Sequence, residues 1–126
     1  MRYEAEAATR WLASVASDHP GFSGSGFVDY ANVSGSYVEW QVTVPAAGPV
    51  TLAVRYANGT GDGRPMDLSV GGVRVQAGWP FPATGGWAVW VTQSVTVTVG
   101  AGTTRIRLAV TTGNGGPNVD YLEVRA

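Results

Sequence analysis

Tyr37-Val38-Glu39-Trp40-Gln41-Val42-Thr43-Val44 places Val38, Trp40, Val42 and Val44 on one face and Glu39, Gln41 and Thr43 on the other. Side chains of an extended strand alternate between its two faces, so this run reads as a half-buried antiparallel strand. The same parity recurs in Val50, Leu52, Val54 and Tyr56, in Val95, Val97 and Val99, and in Ile106, Leu108 and Val110. Further short strands are expected near Tyr3–Ala7, Phe27–Tyr30, Met66–Val70, Val73–Gln76, Trp87–Val91 and Val119–Arg125, with Gly71-Gly72 as a tight hairpin turn. Only Ala5 to Val15 could hold a helix, and no more than a turn of one. The 18 Gly and 7 Pro are spread along the chain as turn punctuation rather than gathered into a linker. Many short strands with frequent turns predict a single all-β domain, residues 1–126, folded as a jelly-roll β-sandwich of two antiparallel sheets. The polar, Gly-rich segments Asp18–Gly26, Ala57–Pro65, Gly78–Gly86 and Thr111–Asn118 are then the loops, where a rigid sandwich usually carries its function.

Composition narrows the chemistry. At 126 residues, 44 % hydrophobic and 13 % charged, the chain can bury one core beneath a sparsely charged surface. Eight Arg, no Lys and nine acids give a formal charge of −1 without a basic patch, which argues against a nucleic-acid partner. Apolar runs are broken within a few residues by Thr, Gly or Ser, so no membrane span is expected. Met1-Arg2 leads straight into Tyr3-Glu4-Ala5-Glu6, with no secretion signal. Disulfides, zinc–thiolate sites and thiol catalysis are excluded because Cys is absent. The lone His19 precedes Pro20 and reads as a solvated side chain.

Three carboxylates carry the first candidate site. Glu4 and Glu6, two apart on an expected strand, leave the same face. Asp120 shares parity with Leu122 and Val124, and an inward carboxylate is costly unless paired or bound to metal. Pairing the first and last strands would bring all three together, with no Lys to neutralise them. Hard oxygen donors of this number suit Ca²⁺, completed by backbone carbonyls of a Gly-rich loop such as Ser23–Gly26, with Ser23 and Gly26 as candidate ligands. The alternative is that Glu4 and Glu6 face solvent and Asp120 caps a turn.

Aromatic residues mark the second. Five Trp and five Tyr exceed what one small core needs. Trp40 and Tyr56 have core parity, whereas Trp87 follows Thr84-Gly85-Gly86, which can project a side chain outward. Trp90 is expected to pack inward as a strand begins. Tyr30 ends a strand before Ala31-Asn32, and Trp79 lies in Gly78-Trp79-Pro80-Phe81-Pro82. Singly, each could be core; as a set beside polar loops they read as a platform for a sugar ring, whose C–H groups pack on aromatic faces. Asn118 could read hydroxyls through its amide, and Arg64 could grip a carboxylate. Their alternatives are an Asx turn and a solvated surface charge.

Other motifs fall short. The loop beginning Asn58-Gly59-Thr60-Gly61-Asp62-Gly63 has Ser69 at the twelfth position of an EF-hand and strands on either side. Gly21-Phe22-Ser23-Gly24-Ser25 misses the last glycine of a nucleophile elbow. Asn32-Val33-Ser34 and Asn58-Gly59-Thr60 fit a glycosylation sequon that is common by chance. Glycoside hydrolysis needs two carboxyls facing across a cleft, and none is evident, so an enzyme is the minor hypothesis.

Tyr3-Glu4-Ala5-Glu6, Gly24-Ser25-Gly26-Phe27-Val28, Thr84-Gly85-Gly86-Trp87-Ala88-Val89-Trp90 and Gly116-Pro117-Asn118-Val119-Asp120-Tyr121-Leu122 together resemble carbohydrate-binding modules of families 35 and 6. The resemblance implies a non-catalytic, secreted, monomeric jelly roll appended to the catalytic domain of a polysaccharide-degrading enzyme. It implies a structural calcium on Glu4, Glu6 and Asp120, and a ligand site in the loops at one end, with Trp87 and Tyr30 stacking and Asn118 making the polar contact. Arg64-Pro65 looks like the family 35 version. Several members of that family bind glucuronic or 4,5-unsaturated galacturonic acid through a second calcium, for which Asp29, Asn32 and Asn114 are candidates by loop position. Other members bind mannan or galactosyl groups, so a neutral glycan is the alternative ligand. A small hydrolase or lyase and a purely structural adhesion domain are the further alternatives. The missing catalytic partner and signal sequence suggest an excised module beginning at an added Met.

Overall fold

The computed structural model of the chain describes all 126 residues. Eleven strands run Arg2–Glu4 (β1), Thr9–Trp11 (β2), Ala13–Ala16 (β3), Phe27–Tyr30 (β4), Tyr37–Val44 (β5), Gly48–Ala57 (β6), Met66–Val70 (β7), Val73–Trp79 (β8), Val91–Val99 (β9), Gly102–Val110 (β10) and Asn118–Arg125 (β11). They form two antiparallel sheets. One is ordered β3-β4-β11-β6-β9, with β1 also paired to β11, and the other β2-β5-β10-β7-β8. This is the expected jelly-roll β-sandwich, and it contains no helix long and apolar enough to cross a membrane.

Alternation builds the core as the sequence indicates. Val38, Trp40, Val42 and Val44 of β5 are buried together with Leu52, Val54 and Tyr56 of β6, Ile106 and Leu108 of β10, and Leu122 of β11. Val95 and Val97 on the edge strand β9 pack against this cluster while remaining partly exposed. Gly71 and Gly72 close the β7–β8 hairpin with φ of 58° and 85°, the left-handed pair that a two-residue turn needs to match the strand twist.

The single helical turn allowed within Ala5 to Val15 is present as a 3₁₀ turn at Ala5–Ala7. The strand expected near Tyr3–Ala7 ends at Glu4, however, and two further short strands, in different sheets, follow the turn. Leu12, with φ 53°, is the corner where the chain changes sheets, and its carbonyl accepts the Ala31 N–H at 2.8 Å. The expected strand Trp87–Val91 is instead a turn, and β9 starts only at Val91. The loops at residues 17–26, 31–36, 58–65, 80–90 and 111–117 gather at the end of the sandwich where β11 begins.

Candidate functional site

The acidic cluster forms where the first and last strands meet. β1 pairs with β11 in the register Glu4 opposite Tyr121. Glu4 ends β1 and Glu6 sits in the 3₁₀ turn, so the two do not share a strand. The tight turn still brings them together: one carboxylate oxygen from each of Glu4, Glu6 and Asp120 lies within 4.8 Å of the other two. Asp120 falls at a register shift between Val119 and Tyr121 in the β11–β6 pairing, an irregularity of the kind that re-aims side chains. It is fully buried. Burial pushes its carboxyl above the ordinary 3.8, and Glu4 adds to this. Hydrogen bonds from Arg55 and the Ser23 N–H pull the other way.

The loop at 23–26 wraps the cluster. The Ser23 N–H donates to both Asp120 oxygens at 2.9 and 3.0 Å, its hydroxyl donates to Glu4, and the Ser25 N–H donates to Glu6 at 2.9 Å. Gly24, with φ 63°, is required there, because a Cβ would overlap the Glu6 carboxylate and stand 2.8 Å from Glu4 Oε1. Gly26 is buried against β3, where a Cβ would stand 2.6 Å from the Ala16 carbonyl oxygen. Arg55, which the sequence reading did not single out, donates from Nη1 to Asp120 Oδ2 at 2.6 Å. It is the one cation ion-paired to the three acids, so two negative charges remain unbalanced. Glu4 Oε2 and Glu6 Oε1 are buried with no hydrogen-bond partner. Orphaned buried carboxylate oxygens in an all-oxygen donor set fit a hard divalent cation.

At the same end, a cleft of about 290 Å³ is lined by His19, Asp29, Asn32, Arg64, Trp87 and Asn118. Arg64, Trp87 and Asn118 come together as expected, but Tyr30 does not join them. On β4, Val28 and Tyr30 face the core, so Phe27 and Asp29 face away from it. Tyr30 is 3 % exposed, its hydroxyl donates to the Leu108 carbonyl at 3.2 Å, and burial pushes its phenol far above the usual value. Asp29 is the β4 side chain that reaches the cleft. Desolvation and then Asp18 raise its carboxyl above 3.8, while Arg64 and His19 oppose them.

Trp87 is half-buried and rests on Gly59, where any Cβ would overlap the indole. The two loops are joined by the Thr84 N–H donating to the Asn58 carbonyl at 2.9 Å and the Asn58 N–H donating to Thr84 Oγ1 at 3.1 Å. Asn58 is itself fully buried, its Nδ2 donating to the Asp62 and Phe81 carbonyls at 2.8 and 3.1 Å. It organises the loop. The Arg64 guanidinium sits 5.4 Å from the centre of the Trp87 ring and donates from Nη1 to the Gly116 carbonyl at 3.0 Å. His19, expected to be solvated, instead stacks beside Trp87 at 6.3 Å between ring centres and 28° between planes. Asn118 opens β11 and is 5 % exposed. Asn32 lines the cleft, whereas Asn114 is exposed on the adjoining loop.

The remaining aromatics are structural. Trp79 is 4 % exposed at the end of β8, edge-on to Phe81, and does not belong to the platform. Trp90 lies outside the main core and precedes its strand, with Nε1 donating to the Pro20 carbonyl at 2.9 Å. A larger apolar cavity of about 330 Å³ lies at the opposite end around the 45–49 turn, but it has no charged side chain to orient a polar ligand.

The family model described as carbohydrate binding module (family 6) matches residues 4–126. The chain is 52 % identical over 120 residues to an exo-beta-D-glucosaminidase of Amycolatopsis orientalis, covering 95 % of this chain and 12 % of that protein. It is 36 % identical over 112 residues to endo-1,4-beta-xylanase B of Cellvibrio japonicus, covering 88 % and 19 %. It therefore spans only a minor part of the length of these relatives. Among solved structures, a family 35 carbohydrate binding module from Clostridium thermocellum superposes with a TM-score of 0.97 at 39 % identity, covering 98 % of this chain and 95 % of that one. Xyl-CBM35, solved in complex with a glucuronic acid containing disaccharide, superposes with a TM-score of 0.88 at 31 % identity, covering 100 % and 93 %.

Proposed function

This chain belongs to the carbohydrate-binding modules, of the family 35 type related to family 6, and from that premise we propose that it holds the terminal uronic acid of a plant or microbial polysaccharide in the loop-end cleft, with calcium required. The observation that carries the reading is the adjacency of Arg64 and Trp87: a flat apolar face for a sugar ring with a guanidinium beside it for an acid group. Asn118 and Asn32 offer amides to the hydroxyls. The glucuronic acid containing ligand of Xyl-CBM35 supports the choice of sugar class.

Glu4, Glu6 and Asp120 would hold a structural Ca²⁺ that neutralises their surplus charge and fixes the 23–26 loop. Asp29 and Asn32 have the oxygen donors to hold a second Ca²⁺ in the cleft, where it would offset Asp29 against an acidic ligand. Asp29 is also the observation that favours the second reading. Without a calcium ion in the cleft, Arg64 only partly offsets this carboxylate, which then suits a neutral mannan or galactosyl group better than a uronate.

The module is non-catalytic on this reading. Hydrolysis by the usual pair of carboxyls needs two, and the cleft is lined by one. A single shallow site binds weakly, because few ring atoms are buried and water competes for each hydroxyl. Its benefit would come from raising the local concentration of an attached, secreted glycan-degrading enzyme on its substrate. Calorimetry with glucuronic acid and glucose, with and without chelator, tests the proposal. Binding of the acid alone, lost on chelation, is expected; equal affinity for glucose would give the second reading.

A further inference from the structure

We propose that Arg55 is a positioning residue for the cleft: it fixes the Pro20–Gly21 corner and thereby sets where His19 stands against Trp87. Its Nη1 donates to the Gly21 carbonyl at 2.7 Å as well as to Asp120 at 2.6 Å, so one nitrogen ties the acidic cluster to the loop between β3 and β4. The guanidinium lies 5.5 Å from the centre of the Trp90 ring. Trp90 in turn donates from Nε1 to the Pro20 carbonyl at 2.9 Å. Gly21 lies flat on that indole, since a Cβ there would stand 2.9 Å from Trp90 Cδ1.

These contacts form a small aromatic floor apart from the main core. Phe27 is fully buried yet is not a member of the central cluster. It touches Phe22 at 5.8 Å, Trp90 at 5.4 Å and His19 at 6.1 Å between ring centres. The His19 ring has no hydrogen bond of its own; its one ion-pair contact is with Asp18 at 3.8 Å. Beyond its ring contacts with Phe27 and Trp87, its place in the cleft is set by the chain that follows it. That chain is held at two successive carbonyls, Pro20 by Trp90 and Gly21 by Arg55. The 18–21 stretch, unlike the Ser23–Ser25 stretch after it, is tied only at these two carbonyls, so it moves when either tie is removed, and the cleft wall moves with it.

The single His makes the test direct, because its ring-proton resonance needs no disentangling from others. Shielding by the nearby Trp87 ring should displace that resonance from the free-imidazole position. In Arg55→Met and in Trp90→Phe it is expected to move back toward that position, further in Arg55→Met. Trp90→Phe keeps the Arg55–Asp120 pair and reports on the Pro20 tie alone. Arg55→Lys, which keeps a cation for Asp120 without the guanidinium, tests Arg55 should Arg55→Met fail to fold. Affinity for glucuronic acid is expected to fall about fivefold in each folded variant, the factor carried by one hydrogen bond. In a His19→Ala background neither substitution should weaken binding further. An unmoved His19 resonance in folded Arg55→Met or Arg55→Lys, or losses that add fully to that of His19→Ala, would overturn the assignment. The affinity arm rests on the uronate reading; the resonance arm does not, and it stands if glucuronic acid fails to bind at all.

Discussion

The Trp87 indole lies on the bare backbone of Gly59: a Cβ at residue 59 would stand 2.5 Å from the indole Cγ and Nε1. The glycine is the floor beneath Trp87, and its lack of a side chain sets the height of the ring in the cleft. Gly59→Val is therefore expected to tilt Trp87 and weaken glycan binding about tenfold, the scale of one aromatic contact. Circular dichroism should show an unchanged sheet fold. Calorimetric affinity equal to the parent chain would mean that the ring is free to move.

Tyr30→Phe separates the core from the cleft. The substitution removes the hydroxyl that donates to Leu108 O. It should cost about 1 kcal/mol in chemical denaturation. Sugar affinity should stay unchanged, because Tyr30 does not line the cleft. A marked loss of affinity without loss of stability would return Tyr30 to the site.

Cation loading should appear as stability. A ligand that binds only the folded chain adds about 2.7 kcal/mol at a free concentration a hundred times its Kd. Calcium is expected to raise the melting temperature and chelator to reverse the rise. Glu6→Gln, which alters one of the two orphaned carboxylates, should remove most of the increment. A parent chain whose melting temperature ignores both calcium and chelator would leave the cluster without a cation.

The pH dependence has a defined sign. Burial raises Asp120, and desolvation raises Asp29, above 3.8 in the folded chain. The folded state then holds these protons more tightly than the unfolded one. In chelator, their contribution to stability should grow as the pH falls from neutral through the raised values toward about 3.8, and be lost again as the pH rises. Glu123, lowered chiefly by its hydrogen bond from Arg125, opposes this, but it is exposed at the surface and its effect is screened. Calcium competes with the Asp120 proton, so the calcium increment should shrink on acidification. Melting curves between pH 7 and 4 in chelator and in calcium check both, and an increment that grows on acidification would contradict the competition.

Much of the sandwich was legible because alternation is a local signal. Val38 to Val44 and Ile106 to Val110 bury the faces their parity indicates. The same alternation puts Tyr30 on the side of Val28 and opposite Asp29, so the core position of Tyr30, expected to stack on a ligand, was within reach of the strand pattern. The segment after Glu4 was harder. Strands of three and four residues that change sheets at a left-handed Leu12 leave no run long enough for a period to show. Arg55 and His19 were illegible for another reason. Their roles depend on residues 65 and 68 positions away in sequence, Asp120 and Trp87, which only the closed fold brings near.

The residues lining the cleft are distributed with a consequence for divergence. His19, Asn32, Arg64 and Trp87 stand on four separate connections, while Asp29 lies within β4 and Asn118 opens β11. A substitution in any one connection can exchange a single wall of the cleft while the strand pairing beneath it is untouched. If the cleft holds the glycan as proposed, its preference can change through successive single substitutions that do not touch strand pairing, which makes the six positions a compact target for re-engineering.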